Sequence, residues 1–279
     1  MSDFTKKYLP LLPTALASRA FGVVSSIHFP QKVQKSINTA FAKIAKINLD
    51  EASKNIEQYD TLNDFFTRAL KPNARPLANA DVLSPVDGRV SAFGRVNDDT
   101  VLTVKHQHFN VNDLVGTTSA HDWLIGSYFF IIYLSPANYH RIHSPASANV
   151  THMSYVPGQL LPVNKLGLAA TDELFPSNER LTSFLQTNSG RHLALVKVGA
   201  TCVGKISVNY DQIQTNSSRH PSPAFRAIEP SPHYEAGQEL AVFNLGSTVI
   251  LFIEGDDFKP DPSVKLNAPI KMGEALGSF

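Results

Sequence analysis

The chain has 279 residues, 43% of them hydrophobic and 18% charged, with a formal net charge of +1. That length can bury a sizeable core, as one large domain or two small ones. Near-neutrality excludes a general nucleic-acid binder, which carries a strong basic excess. The single cysteine, Cys202, excludes an internal disulfide framework and suits a reducing compartment.

The charge is unevenly spread. Residues 1–46 hold Lys6, Lys7, Arg19, Lys32, Lys35, Lys43 and Lys46 against Asp3 alone, a local net of +6. Asp50, Glu51, Glu57, Asp60 and Asp64 then turn residues 47–64 acidic. No signal peptide is expected, because Pro10 and Pro13 cut the first apolar stretch. No membrane span is expected either: the longest apolar run, Tyr128 to Leu134, is far short of the ~20 residues needed.

The first 70 residues read as helical. Val33, Ile37, Phe41, Ile44 and Ile47 recur at helical spacing, with Lys32, Lys35, Lys43 and Lys46 around their flanks. Such a basic amphipathic helix either packs on a core or lies in a membrane interface beside anionic lipids. A further helix is predicted from Thr61, whose hydroxyl caps it with Asp64 three residues on. Leu62, Phe65, Phe66 and Leu70 form its apolar face, and Lys71-Pro72 ends it.

From about residue 80 the pattern changes to short strands and turns. Strands are predicted at 89–93, 101–105, 129–134, 149–156, 193–198, 203–208, 239–243 and 248–254. Cys202, between Thr201 and Val203, reads as a small buried strand residue. Residues 211–237, with four prolines among serines, read as a long exposed loop. The predicted class is α+β: a helical region over 1–72, then a mostly antiparallel, barrel-like or sandwich-like β body over 73–279.

Three places put reactive groups beside rigid strand ends. In Ser84-Pro85-Val86-Asp87-Gly88 a tight turn holds Asp87 on stiff backbone, although a turn aspartate commonly does no more than bond its own amides. In Ser135-Pro136-Ala137-Asn138-Tyr139-His140-Arg141-Ile142-His143-Ser144-Pro145 a short helical turn is predicted, projecting His140 and His143 from one side. Gly246-Ser247-Thr248 abuts the apolar strand from Val249 to Ile253. Asp, His and Ser together suggest an activated serine, since a hydroxyl needs a base and the base an orienting carboxylate. The Gly-x-Ser-x-Gly elbow of serine hydrolases is absent, with Val249 where its second glycine belongs. A zinc hydrolase is the alternative, with His106 and His108 on one strand face and His140, His143 or Asp87 completing the ligands. It leaves Gly246-Ser247 unexplained.

Leu245-Gly246-Ser247-Thr248, Ser84-Pro85-Val86-Asp87-Gly88 and Tyr139-His140-Arg141-Ile142-His143 together resemble the bacterial phosphatidylserine decarboxylases. Leu62 to Arg68, Ala74-Arg75-Pro76, Tyr155-Val156-Pro157-Gly158, Asn178-Glu179-Arg180 and Val198-Gly199-Ala200-Thr201 follow in the family's order. Phe109, where tyrosine is frequent, and Ala241, where glycine is frequent, depart from the pattern without touching these motifs.

The resemblance implies a proenzyme that cuts itself between Gly246 and Ser247. Ser247 attacks the Gly246 carbonyl to give an ester, elimination across Ser247 breaks it, and hydrolysis leaves a pyruvoyl cofactor and ammonia. Asp87 and His143 match the family's charge relay, with His143 the base on Ser247. His140 is a second polar group, for carboxylate contact or protonation. The pyruvoyl ketone forms a Schiff base with phosphatidylserine, and loss of carbon dioxide yields phosphatidylethanolamine. The resemblance further implies a heterodimer of a β chain, 1–246, and an α chain, 247–279. It also implies peripheral contact of the N-terminal helices with the cytoplasmic face of the inner membrane, and no resident metal.

Overall fold

The computed structural model describes residues 14–97, 101–104, 107–117, 122–163, 174–201, 205–217, 222–244 and 248–279. Cys202, His106, Gly246 and Ser247 therefore lie outside the described residues. The class is α+β as expected, with helices leading and antiparallel sheets following.

Helices α1 (Thr14–Ser25), α2 (Gln31–Ala45) and α3 (Leu62–Phe66) come first. Thr61 Oγ1 accepts the Asp64 N–H at 3.0 Å, the predicted cap. The helix it starts is a single turn, ending at Thr67 rather than at Lys71. The apolar stripe of helix α2 is split: Phe41 packs on Phe65 and Phe66, and Ile47 just past the helix is buried, while other members face out. Its buried residues are Gln34, Asn38 and Ala42, while Val33 is exposed and Ile44 is 82% exposed. Polar residues can face inward because they satisfy one another: Gln34 Nε2 donates to Asn38 Oδ1 at 2.8 Å, and Asn38 Nδ2 to the Tyr59 carbonyl at 3.3 Å.

The strands are β1 (Val82–Leu83), β2 (Gly88–Arg95), β3 (Val101–Val104), β4 (Gln107–Asn110), β5 (Tyr128–Tyr133), β6 (Arg141–His143), β7 (Ala148–Val156), β8 (Arg180–Thr187) and β9 (His192–Val198). Then come β10 (Lys205–Val208), β11 (Ala224–Ala227), β12 (His233–Tyr234), β13 (Glu239–Asn244), β14 (Thr248–Ile253), β15 (Lys259–Pro260), β16 (Pro269–Ile270) and β17 (Ala275–Ser278). A nine-stranded sheet runs β11-β7-β8-β9-β14-β5-β2-β16 with β12 also on β7, and a smaller sheet runs β10-β13-β6. The ends of the large sheet do not pair, so the body is an open, layered sandwich rather than a closed barrel. The segment 211–237 is not wholly loop: β11 and β12 extend the sheet by pairing with β7.

β14 lies in the middle of the large sheet, between β5 and β9. Val249, Leu251 and Ile253 enter one core cluster, and Ile250 and Phe252 enter the other. A strand buried on both faces reads as an unbroken apolar run, which is why its polar entry at residue 248 stands out. Gly88 starts β2 against β5, where a Cβ would lie 2.5 Å from Ile132 Cγ2 and 2.7 Å from the Tyr133 carbonyl oxygen. The backbone oxygen is fixed by the sheet. Gly88→Ala is expected to cost about 1–3 kcal/mol of stability, read as a lower urea midpoint.

Candidate active site

Asp87 sits in the turn between β1 and β2, in a wall of the β body. Ser84 Oγ donates to the Val86 carbonyl at 2.8 Å and closes the turn. The Asp87 carboxylate does not serve its own turn. Arg75 grips it through Nε to Oδ1 at 2.8 Å and Nη2 to Oδ2 at 2.6 Å, and the Met272 N–H donates to Oδ1 at 2.9 Å. Arg75 also donates to Glu51 Oε2 at 2.7 Å. The Arg75 side chain is only 5% exposed, and that of Asp87 7%. Burial alone would lower the Arg75 pKa; its bonds to Asp87 and Glu51 more than reverse this and hold the guanidinium charged.

His143 ends β6. The segment before it is a turn followed by a strand, not the expected helical turn, because Arg141–His143 pairs with Glu239–Val242 of β13. His140 and His143 therefore do not project from one helical side but meet different neighbours. The His143 N–H donates to the Pro85 carbonyl at 2.8 Å, which locks the histidine strand to the Asp87 turn. Its Nδ1–H donates to the Gly237 carbonyl at 2.8 Å, leaving Nε2 to accept the Tyr139 hydroxyl at 3.0 Å. Burial lowers the His143 pKa, and the Gly237 bond and the nearby Glu239 and Asp87 charges oppose this only in part. No hydrogen bond joins Asp87 to His143. The expected relay pair is brought together through the Pro85 carbonyl and through the field of Asp87, while the orienting acceptor on Nδ1 is a backbone carbonyl.

His140 is fully buried, its ring centroid 4.0 Å from that of Phe66. Its Nδ1–H donates to the Asn138 carbonyl at 2.8 Å, and its buried Nε2 has no partner among the described residues. Thr248 Oγ1, at the entry to β14, is also buried and without a partner among the described residues. Phe243 and Thr248 precede and follow the Gly246-Ser247 step in the sequence. The Phe243 N–H donates to the His140 carbonyl at 2.9 Å on one side, and Thr248 pairs with Tyr133 and Val198 on the other.

Burial, with the Arg68 charge adding to it, lowers the His140 pKa from 6.5 to about 3. Folding thus keeps this imidazole neutral, and the unfolded chain binds the extra proton between pH 6.5 and 3. Stability from this group is complete above pH 6.5 and is lost as pH falls through that window, and His143 acts in the same direction. The unfolding free energy is expected to drop by roughly 3 kcal/mol between pH 7 and pH 4 on account of His140. Urea titrations of the parent chain and of His140→Gln across that range measure the difference.

Of the residues the zinc alternative would use, His106 lies outside the described residues. Among the described residues no three His, Cys, Asp or Glu side chains stand close enough to hold a metal. His108 is exposed on the β3–β4 hairpin. Three partners in the site had no signal in spacing or composition: Tyr139, the Gly237 carbonyl and Arg75. The last two reach their partners across 94 and 12 residues of chain.

His143, tied to the Asp87 turn, and the arginine-clamped Asp87 carboxylate form a buried polar cluster, with His140 packed behind on Phe66. Buried, hydrogen-bonded groups of this kind are the ones enzymes use for acid–base chemistry. The phosphatidylserine decarboxylase family pattern matches residues 62–278. The chain is 38% identical over 280 residues to the phosphatidylserine decarboxylase proenzyme of Myxococcus xanthus, covering 99% of each chain. It is 38% identical over 281 residues to the proenzyme of the same name in Brevibacillus brevis, with 98% of each covered. Against the Helicobacter pylori protein of that name it is 36% identical over 266 residues, covering 94% of this chain and 96% of the relative. The chain belongs to the phosphatidylserine decarboxylase family.

Proposed function

We propose that the chain is a proenzyme which cleaves itself between Gly246 and Ser247 and then decarboxylates phosphatidylserine to phosphatidylethanolamine and carbon dioxide. The observation that supports this best is buried His143, its Nδ1–H held by the Gly237 carbonyl and its backbone N–H tied to the Asp87 turn through the Pro85 carbonyl.

Neutral His143, its tautomer fixed by the Gly237 carbonyl, is the base that takes the Ser247 hydroxyl proton. Ser247 Oγ then attacks the Gly246 carbonyl carbon, the C–N bond breaks, and the proton passes to the departing amine. Asp87 favours the imidazolium through its field, which is why its arginine clamp matters. Elimination frees the Gly246 carboxylate, and hydrolysis of the resulting dehydroalanine releases ammonia. A pyruvoyl group at residue 247 supplies the electron sink for loss of carbon dioxide from the substrate. His140, uncharged, fits proton acceptance at Nε2 better than charge pairing with a carboxylate. Purified protein given phosphatidylserine in detergent micelles should release carbon dioxide, and phenylhydrazine, which traps ketones, should stop it. Undiminished turnover under that reagent overturns the reading.

Cleavage into 1–246 and 247–279 would leave a stable heterodimer. The shorter piece carries β14 at the sheet centre, β16 and β17 on β2 and β1, and the Met272 amide on Asp87. The working division is a helical region, 1–72, and a catalytic body, 73–279.

The helical region is proposed to rest on the cytoplasmic face of the inner membrane. Among the described residues no helix is long and apolar enough to cross a membrane. The exposed side chains of α1, α2 and their flanks include Val23 at 67%, Val24, Ile27, Phe29, Val33 and Ile44, among lysines that suit anionic lipid. Ile44→Asp is expected to weaken sedimentation with phosphatidylglycerol vesicles about tenfold or more, since one buried isoleucine contributes about 1.5–3 kcal/mol.

A further inference from the structure

A cleft of about 260 Å³ lies between the helical segment and the β body. Four basic residues line it, Lys46, Arg68, Arg75 and Lys271, against two acidic ones, Glu51 and Asp87. Both acids are already engaged, Asp87 by Arg75 and the Met272 amide, and Glu51 by Arg75 and Lys271. Lys46 and Arg68 are left without a carboxylate partner among the described residues.

Arg68 is the unusual member. It is 4% exposed, and its bonds run only to carbonyls: Phe66 at 3.4 Å, Ala137 at 3.0 Å and Asn138 at 3.2 Å. Its Nε–H is buried without a partner among the described residues. A buried guanidinium remains charged, and a charge out of water without a counter-ion is unfavourable unless something supplies one. Lys46 stands at the end of α2 in the left-handed conformation, φ 59°. Glycine is the common residue there, because a side chain is unfavourable in that conformation. The chain keeps an exposed ammonium at that position.

We infer that this cleft is an anion subsite for the phosphodiester of a lipid headgroup, with Arg68 supplying charge from its wall and Lys46 from its rim. The choice of a lipid phosphate over free phosphate rests on the proposed function; the anion site itself does not. Asp87 and Tyr139 line the same cleft, so a phosphodiester held there keeps the attached amino acid beside the acid–base centre. Exposed Ile44 and Leu49, two and three residues from Lys46 in the sequence, offer apolar surface to acyl chains.

The full-length Ser247→Ala chain, which cannot form the ketone, allows binding to be measured without chemistry. Calorimetry with monomeric dihexanoylphosphatidylserine should show affinity falling about tenfold or more on adding Lys46→Glu, with recovery in Lys46→Arg. Dihexanoylglycerol, which has no phosphate, should bind equally to all three chains. Lys46 is exposed, so these variants keep the fold. Unchanged affinity for the phospholipid in Lys46→Glu overturns the site. Inorganic phosphate binding as tightly as the phospholipid overturns its assignment to lipid. Either result leaves self-cleavage and decarboxylation untouched, because both are measured on the unsubstituted chain.

Discussion

Arg75→Met is expected to lower the unfolding free energy by about 3–5 kcal/mol, because it strands a buried carboxylate. Asp87 loses two of its three hydrogen bonds at once, keeping only the Met272 amide. Glu51 loses its guanidinium partner and keeps Lys271 at 3.3 Å. Self-cleavage should slow as well, since the field that favours a protonated His143 then comes from a carboxylate free to move or to take up a proton. A purely structural loss would be rescued differently from an electrostatic one. Adding Asp87→Asn to Arg75→Met should restore part of the stability, since the stranded charge is gone, but none of the cleavage. Urea unfolding and a time course of fragment appearance on the four chains of that cycle separate the two. Stability within error of the parent in Arg75→Met would contradict the arginine's role.

The second large effect is at His143. His143→Gln should slow self-cleavage by about 10²–10⁴-fold, the usual contribution of a positioned base. Glutamine can still donate to the Gly237 carbonyl, so the fold should survive with little loss. The parent chain should show cleavage rising with pH as His143 sheds its proton, with a midpoint below the ordinary histidine range because burial lowers that pKa. The glutamine variant should lack this limb. A pH profile of the same shape in both proteins would remove His143 from the base role.

Much of this was legible in the sequence, and the reasons differ by element. β14 was plain because a strand buried on both faces must be apolar throughout, and only its entry is polar. The Asp87 turn was plain because proline and glycine fix its geometry. Their partners were not, because contacts between a loop and a turn leave no periodicity. Arg75 reads as one more loop cation until the fold brings it within 2.6 Å of Asp87.

One element was misread, and others carry buried polar groups that patterning does not show, for identifiable physical reasons. Ser135 to Pro145 has the end signals of a helical turn, yet pairing with β13 decides the backbone of Arg141–His143, since β-sheet ladders satisfy main-chain groups that a lone turn cannot. Helix α2 has an apolar stripe that normally marks the inward face. Here Gln34 and Asn38, which bond each other and the Tyr59 carbonyl, join the inward face, while Phe41 and Ile47 stay inward and Val33 and Ile44 turn outward. Lys197 is a similar case. It occupies an inward position of β9, where its Nζ donates to Ser183 Oγ at 2.6 Å and the Leu195 carbonyl at 3.1 Å, and burial pushes its pKa far down. Patterning treats each as a surface residue, because polarity alone does not show which polar side chains find hydrogen-bond partners inside.

Intact-mass measurement of the purified chain tests the central claim most directly. Two pieces of 246 and 33 residues are predicted, the shorter starting at position 247 with a keto cap in place of its amine, while Ser247→Ala stays whole. A wild-type chain that remains a single uncut polypeptide while still converting phosphatidylserine to phosphatidylethanolamine would contradict it.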